Sequence, residues 1–296
     1  MSHPTPINGA TQVFGIIGDP VAHSLSPRFQ NRFLHQAGID GRYLPFPLHP
    51  DHLASGIKGL WAAGVQGLNA TIPHKEALVS LLDDLTPEAQ RLGAVNTLIR
   101  TEKGWRGDNT DGLGLRWSLR HEGPDRLPEQ ALLFGAGGAS RGVLSALAQE
   151  GVRRVEIINR DPKRGSHLAA WAKAALGLDV TVGMWESAHL RRRLPETTLM
   201  LNATALGLHG EVLPEIDWTL LPSQAWVVDI VYHRQGTPLV RDARMRGLRA
   251  IDGLGMLVGQ GAASFERRTG VTPNPTPTLD WLRAELASTP KEATPS

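Results

Sequence analysis

A chain of 296 residues is long enough for two domains. With 41% hydrophobic and 20% charged residues it reads as globular, and 31 Lys and Arg against 29 Asp and Glu leave a formal charge of only +2. The absence of cysteine excludes disulfides, thiolate catalysis and Cys-based metal sites. The densest basic run, Arg191–Arg193, is too short for a nucleic-acid stripe. No apolar run approaches the roughly 20 residues of a membrane span, and the first 27 residues hold no Lys or Arg, so no secretory signal is expected. These features predict a soluble cytoplasmic enzyme, without a nucleic-acid or membrane partner.

The first dozen and last ten residues are polar and are predicted to fray. Val13–Gly18 reads as a buried strand. In Ser24-Leu-Ser-Pro27, Ser26 is predicted as an N-cap with Pro27 at the first helical position, and Phe29, Phe33 and Leu34 supply the apolar face. Val65–Ile72 is predicted as a strand, Pro73-His-Lys-Glu as a helix start, and Ala94–Ile99 as a strand with Asn96 in its middle. Trp105–Gly112 is predicted as a turn into a helix over 113–121. This alternation favours a mostly parallel sheet.

A second unit starts near residue 130. Ala131–Phe134 is a predicted strand, and Gly135-Ala-Gly-Gly-Ala-Ser140 turns into a helix over 140–150. Strands at 155–158, 179–182, 199–202, 226–231 and 249–251 alternate with helices at 162–176 and 238–246, a doubly wound pattern. The stretch 183–198 stays unassigned, and 254–267 and 278–287 are predicted helices.

Several of these points suit chemistry. Gly135-x-Gly-x-x-Ser between strand and helix fits a dinucleotide turn, where backbone amides approach a pyrophosphate; a compact structural turn has the same pattern. The following strand ends at Asn159, without a carboxylate for a ribose hydroxyl, and Arg160, Lys163 and Arg164 come next. Such cations suit a 2′-phosphate, hence NADP over NAD, and equally a solvated helix start. Ser24 and Ser26 lie where a carboxylate could dock. Lys75 at a helix start would oppose the dipole, which hints at a functional lysine. Asn96, buried in a strand, needs partners. Asp108 and Asp111 lack an EF-hand pattern and suit caps. No histidine pairing suggests a metal site; His49 and His52 fit a surface loop.

Together the motifs Gly18-Asp-Pro-Val-Ala-His-Ser-Leu-Ser-Pro27, Asn69-Ala-Thr-Ile-Pro-His-Lys75, Gly93-Ala-Val-Asn-Thr97, Gly107-Asp-Asn-Thr-Asp-Gly112, Gly135-Ala-Gly-Gly-Ala-Ser140, Asn159-Arg160, Asn202-Ala-Thr204 and Asp252-Gly-Leu-Gly-Met-Leu-Val-Gly-Gln260 resemble the shikimate dehydrogenase family, in order, over about residues 13–285. The resemblance implies a two-domain α/β fold. A parallel-sheet substrate domain would take residues 1–111 and 252–296, and a Rossmann NADP-binding domain 112–251. It implies NADPH-dependent reduction of 3-dehydroshikimate to shikimate on the route to chorismate and the aromatic amino acids, by a monomer or homodimer. By motif position, Lys75 and Asp111 would be catalytic. Ser24, Ser26 and Tyr232 would hold the substrate carboxylate, and Thr71, Asn96, Asp111 and Gln260 the ring hydroxyls. Gly135, Ala136, Gly137, Gly138 and Ala139 would wrap the pyrophosphate, Asn159, Arg160 and Arg164 the adenosine phosphate end, and Ile230 and Gly253 would lie near the nicotinamide. Ile230 replaces the methionine of some members. Lys75 suits a general acid for the developing alkoxide, oriented by Asp111. The alternatives are an NAD-dependent quinate/shikimate dehydrogenase, against which Ser26 and Asn159-Arg160 argue, and a non-catalytic nucleotide-binding paralogue, against which Lys75 with Asp111 argues.

Overall fold

The computed structural model covers residues 6–208, 210–213 and 216–288; the outer parts of the two tails expected to fray lie outside these. Two six-stranded sheets form, one from residues 12–108 and one from 130–251. The apolar run β1 (Gln12–Gly18) lies inside the first. Helix α1 (Ser26–Gln36) follows and buries Phe29, Phe33 and Leu34. Strand β2 (Gly41–Pro47) then pairs parallel with β1. Helix α2 (Leu53–Ala62), β3 (Gly67–Ala70), β4 (Asp84–Leu85), α3 (Pro87–Leu92), β5 (Thr97–Arg100) and β6 (Trp105–Asp108) complete the unit. The sheet order is β2-β1-β3-β5-β6-β4. The expected mostly parallel sheet carries one reversed strand: β5 runs antiparallel to β3 and β6. A tight turn causes this, closed by the Thr101 N–H donating to Gly104 O at 2.9 Å, which only an antiparallel pair accommodates.

Strand β2 escapes the sequence pattern because Pro45 and Pro47 read as breakers. It lies at the sheet edge, where a missing N–H costs nothing. Outside it, the Asn31 amide accepts the Tyr43 N–H and donates to Tyr43 O, both at 2.9 Å.

Four local expectations fail. Trp105–Asp108, read as part of a turn, is the strand β6 paired with β5. Leu25, not Ser26, holds the N-cap position of α1; Ser26 is the first helical residue, and its N–H donates to Ser24 Oγ at 3.2 Å. Pro73–Glu76 forms turns leading to a short 3-10 helix over Ala77–Ser80 rather than an α-helix. The Lys75 carbonyl is taken by the Val95 N–H at 2.8 Å, and the His74 ring is tied to Leu48 O at 2.7 Å. Lys75 therefore does not sit at an α-helix start, and the dipole argument for it lapses. Asn96 lies in a bend one residue ahead of β5, where its side chain accepts the Thr110 N–H at 2.9 Å.

Helix α4 (Asp111–Glu122) begins two residues earlier than predicted, with Asp111 as its first residue, and leads to the second sheet. There β7 (Gln130–Phe134), α5 (Ser140–Gln149), β8 (Arg154–Asn159), α6 (Pro162–Leu176) and β9 (Asp179–Met184) alternate. Asp161 caps α6, as Asp161-Pro162 implied, accepting the Lys163 and Arg164 N–H groups at 2.9 and 3.3 Å. Helix α7 (Ser187–Arg193) lies in the unassigned stretch, and β10 (Leu199–Asn202), β11 (Trp226–Asp229), α8 (Pro238–Met245) and β12 (Arg249–Ile251) follow. Every pair is parallel in the order β9-β8-β7-β10-β11-β12, the doubly wound order expected.

The chain then returns. Helices α9 (Gly253–Thr269) and α10 (Thr276–Ser288) bury Leu254, Val258, Phe265, Leu279 and Leu282 against Phe14, Phe29 and Phe33 of the first unit. On its other side, α3 is tied to the second unit. Arg91 Nη2 donates to Ser145 Oγ at 2.7 Å, Trp171 Nε1 to Arg91 O at 3.1 Å, and Arg141 Nη1 to Leu92 O at 2.9 Å. Where α4 crosses α9, the backbones nearly touch: a Cβ on Gly114 would lie 2.5 Å from Gln260 N and Met256 O. Gly114→Ala is therefore expected to cost about 1–3 kcal/mol through overpacking, read as a lower urea midpoint at unchanged slope.

Candidate active site

The turn after β3 carries Lys75 to the first residue of α4. Lys75 Nζ donates to Asp111 Oδ2 at 2.7 Å, with the carboxylate almost wholly buried and the ammonium half-buried. The second carboxylate oxygen is also taken: Asn96 Nδ2 donates to Asp111 Oδ1 at 2.8 Å and lies 3.3 Å from Gln260 Oε1 of α9. Four predicted site residues from four segments thus meet within hydrogen-bond distance. Thr71 sits at the mouth of the same turn, its methyl beside Gly18 at the end of β1.

A second polar layer, to which sequence reading gave no role, lies behind them. Thr110 Oγ1 donates to Gln260 O at 3.0 Å, and the Asn109 side chain accepts the Asp111 N–H at 3.0 Å. Thr97 Oγ1 lies 2.8 Å from Asn96 Oδ1 and 2.9 Å from Ser264 Oγ, and Asn69 Nδ2 donates to Ser264 Oγ at 2.8 Å. Asn69 Oδ1 in turn accepts from Tyr43 Oη and Arg268 Nη1 at 2.8 and 2.5 Å. Burial pushes the Tyr43 hydroxyl well above its usual range, so it remains a neutral donor. Small hydroxyls and amides such as these pass in a sequence for caps and turns; Asn69, Thr97, Asn109 and Thr110 stood inside quoted motifs without a role of their own, and Ser264 stood outside them.

Ser24 and buried Ser26 flank Leu25, whose backbone N–H donates to the hydroxyl oxygen of Tyr232, a residue from beyond β11 whose own hydroxyl is pushed up by burial. The two serines and Tyr232 converge, although Ser26 lacks the capping role expected of it.

Across the cleft lies the glycine turn. Gly135 has φ +106, and a Cβ there would meet Thr204 Cγ2 at 2.8 Å and Ala203 O at 3.0 Å, so only glycine fits. A Cβ on Gly137 meets nothing within 4 Å, which leaves the turn open toward the cleft. Ser140, in place of a third glycine, is buried; its hydroxyl accepts the Gly137 N–H at 3.1 Å and donates to Gly135 O at 3.2 Å, closing the turn. This cradle with open space before it, at the start of α5, fits a dinucleotide pyrophosphate along Gly135–Ala139. Its far side faces the lysine turn, since a Cβ on Gly138 would lie 3.1 Å from Glu76 Oε1. Asn159 ends β8 with its amide donating to Asp161 O at 2.8 Å, and Arg160 and Arg164 stand exposed beside it. Ile230 and Gly253 meet behind the turn: a Cβ on Gly253 would lie 2.3 Å from Ile230 O. Among the described residues no group of three or more His, Asp or Glu could hold a metal, and no helix is long and apolar enough to cross a membrane.

Residues 16–98 match the shikimate dehydrogenase substrate binding domain, 121–206 the shikimate / quinate 5-dehydrogenase family and 253–279 the shikimate 5′-dehydrogenase C-terminal domain. The shikimate dehydrogenase (NADP(+)) of Crocosphaera subtropica is 41% identical over 266 residues, 88% of this chain and 91% of its own. The chain belongs to the shikimate dehydrogenase family. Among solved structures, the Thermus thermophilus shikimate 5-dehydrogenase in complex with NADP(H) and shikimate is 36% identical, with a TM-score of 0.80 over 92% of this chain and 99% of that one. The quinate dehydrogenase of Corynebacterium glutamicum in complex with NAD is 26% identical, with a TM-score of 0.84 over 93% and 99%.

The chain also holds a buried carboxylate that sequence reading missed. Asp229, 1% exposed at the end of β11, accepts from Thr237 Oγ1 at 2.6 Å, Asn202 Nδ2 at 2.9 Å and the Val231 N–H at 3.2 Å. It clasps the ends of β10 and β11 to the start of α8, and so supports Ile230 and Tyr232. Burial raises its pKa from 3.8 to about 6, against the three donors, with the charge of Asp252 adding to the rise. The folded state therefore binds this proton more tightly than the unfolded chain. Its ionisation costs stability at neutral pH, and the cost is relieved as pH falls through about 6 toward 3.8. Relative to Asp229→Asn, the wild type is expected to gain about 2 kcal/mol between pH 7 and pH 4, read from paired urea titrations.

Proposed function

We propose that the protein reduces 3-dehydroshikimate to shikimate with NADPH. The observation that carries this reading is the Lys75–Asp111 pair, set opposite the glycine turn through Glu76 and Gly138. Ketone reduction needs a hydride and a proton, and NADPH when bound supplies the hydride. Lys75 Nζ holds protons at the cleft wall, beside where the carbonyl oxygen would lie, and its ammonium stabilises negative charge there. Asp111 fixes the lysine through Oδ2 and leaves its carboxylate edge to a neighbouring ring hydroxyl, while Asn96 keeps that carboxylate from rotating. Asn96, Thr71 and Gln260 line the ring side, and Ser24, Ser26 and Tyr232 the carboxylate side. Gly135–Ala139 would hold the pyrophosphate, and Asn159, Arg160 and Arg164, which offer cations and no carboxylate side chain among them, the 2′-phosphate. Ile230 and Gly253 would border the nicotinamide. In this reading residues 1–111 and 252–296 serve the substrate and 112–251 the cofactor; the packing of α9 and α10 on the first sheet supports that division.

Purified protein given NADP and shikimate should raise absorbance at the reduced-nicotinamide band. Lys75→Ala is expected to lower kcat by about 10²- to 10⁴-fold while circular dichroism stays unchanged; a kcat near wild type in a folded variant removes Lys75 from this role.

Selectivity follows from the serine pair. Quinate carries an added hydroxyl on a tetrahedral carbon beside its carboxylate. Ser26 is 4% exposed and its N–H is tied to Ser24 Oγ, so the loop has little room to adapt. An extra buried hydroxyl there costs about 1–3 kcal/mol, roughly ten- to hundredfold in kcat/KM. Comparable kcat/KM for shikimate and quinate with the same cofactor would move the protein to the dual-specificity reading.

A further inference from the structure

A cleft of about 230 Å³ opens between the ends of β8 and β9, lined among others by Asn159, Arg160, Met184, Trp185 and the exposed side chain of Glu186. Trp185 is not part of any motif discussed above. The Arg160 guanidinium lies over its ring, 5.9 Å from the centroid, within cation–π range. The ring is itself held edge-on by Phe134, 5.3 Å away, the last residue of β7 before the glycine turn. A continuous stack, Phe134–Trp185–Arg160, thus runs from the strand that sets the pyrophosphate turn to the cation beside Asn159. The carboxylate nearest in sequence, Asp161, is already engaged as the cap of α6.

We infer that Trp185 is a positioning residue for the cofactor site, its indole face holding the Arg160 guanidinium where a ribose 2′-phosphate would meet it. The inference rests on the NADP reading. An exposed arginine is otherwise spread over many rotamers, and fixing it only when the ligand arrives weakens binding. A residue that holds it beforehand acts on the 2′-phosphate and not on the rest of the nucleotide. The choice of tryptophan is informative. Its Nε1–H is buried without a hydrogen-bond partner, a cost that phenylalanine would avoid. What tryptophan adds is the larger, more electron-rich face.

The test is isothermal titration of 2′,5′-ADP and 5′-AMP into the full-length protein, as wild type, Trp185→Phe and Trp185→Leu, with thermal melts of each. Trp185→Leu is expected to weaken 2′,5′-ADP about three- to tenfold more than 5′-AMP. Trp185→Phe should fall between the two in affinity while melting no lower than wild type, an order that a purely structural role does not produce. Equal losses for the two nucleotides, or unchanged binding, overturn the role of Trp185. Should Trp185→Leu not fold, the Trp185→Phe pair of affinities decides alone. If wild type binds 2′,5′-ADP no more tightly than 5′-AMP, the NADP reading itself fails, and this inference with it.

Discussion

Both oxygens of one buried carboxylate are committed: Asp111 takes Lys75 on one and Asn96 on the other. A charge this far from water is tolerable only when each oxygen has a partner, and removing one leaves an uncompensated buried group. Satisfying it brings together a turn after β3, a bend before β5 and the first turn of α4. It also requires α9, because Asn96 reaches Gln260 and Thr110 reaches the Gln260 carbonyl. The near-contact of backbones at Gly114 has a purpose in this light. Any larger residue would push Gln260 away from the group that it completes.

Behind that group, Thr97, Ser264 and Asn69 carry hydrogen bonds from the site to Arg268 and Tyr43. The C-terminal helices therefore do more than cover apolar surface: α9 supplies polar anchors along its length to strands laid down at the start of the chain. Low local dielectric strengthens each bond in such a layer and makes each unmet one expensive, which favours a single arrangement.

The second sheet was almost wholly legible in the sequence because local and global signals agree there. Asp161-Pro162 marks the start of α6 both as a cap and in fact, and the apolar run at 199–202 is β10 to the residue. The first sheet was less legible where distant contacts override local ones. Pro73-His-Lys-Glu has every mark of a helix start, yet Val95, twenty residues away, takes the Lys75 carbonyl. The chemistry-bearing side chains could be named from motifs, but their order in space could not. Asn96 was read as a ring-hydroxyl contact, and it also restrains Asp111. Asp229 and Trp185 lacked a signal, since one sits at an ordinary strand end and the other in a stretch without periodicity.

The prolines of β2 have a consequence for how the molecule meets its neighbours. The Leu48 N–H points inward to Gly18 O, so the amides of residues 43, 45 and 47 point away from the sheet. The first is engaged by Asn31, and the other two are prolines with no hydrogen to give. From 43 to 47 this rim cannot donate to an incoming strand, so it offers no template for sheet growth from molecule to molecule. An open-edged parallel sheet, ordinarily a hazard in a crowded solution, is blunted here by residues that a helix-and-strand reading would discard as interruptions.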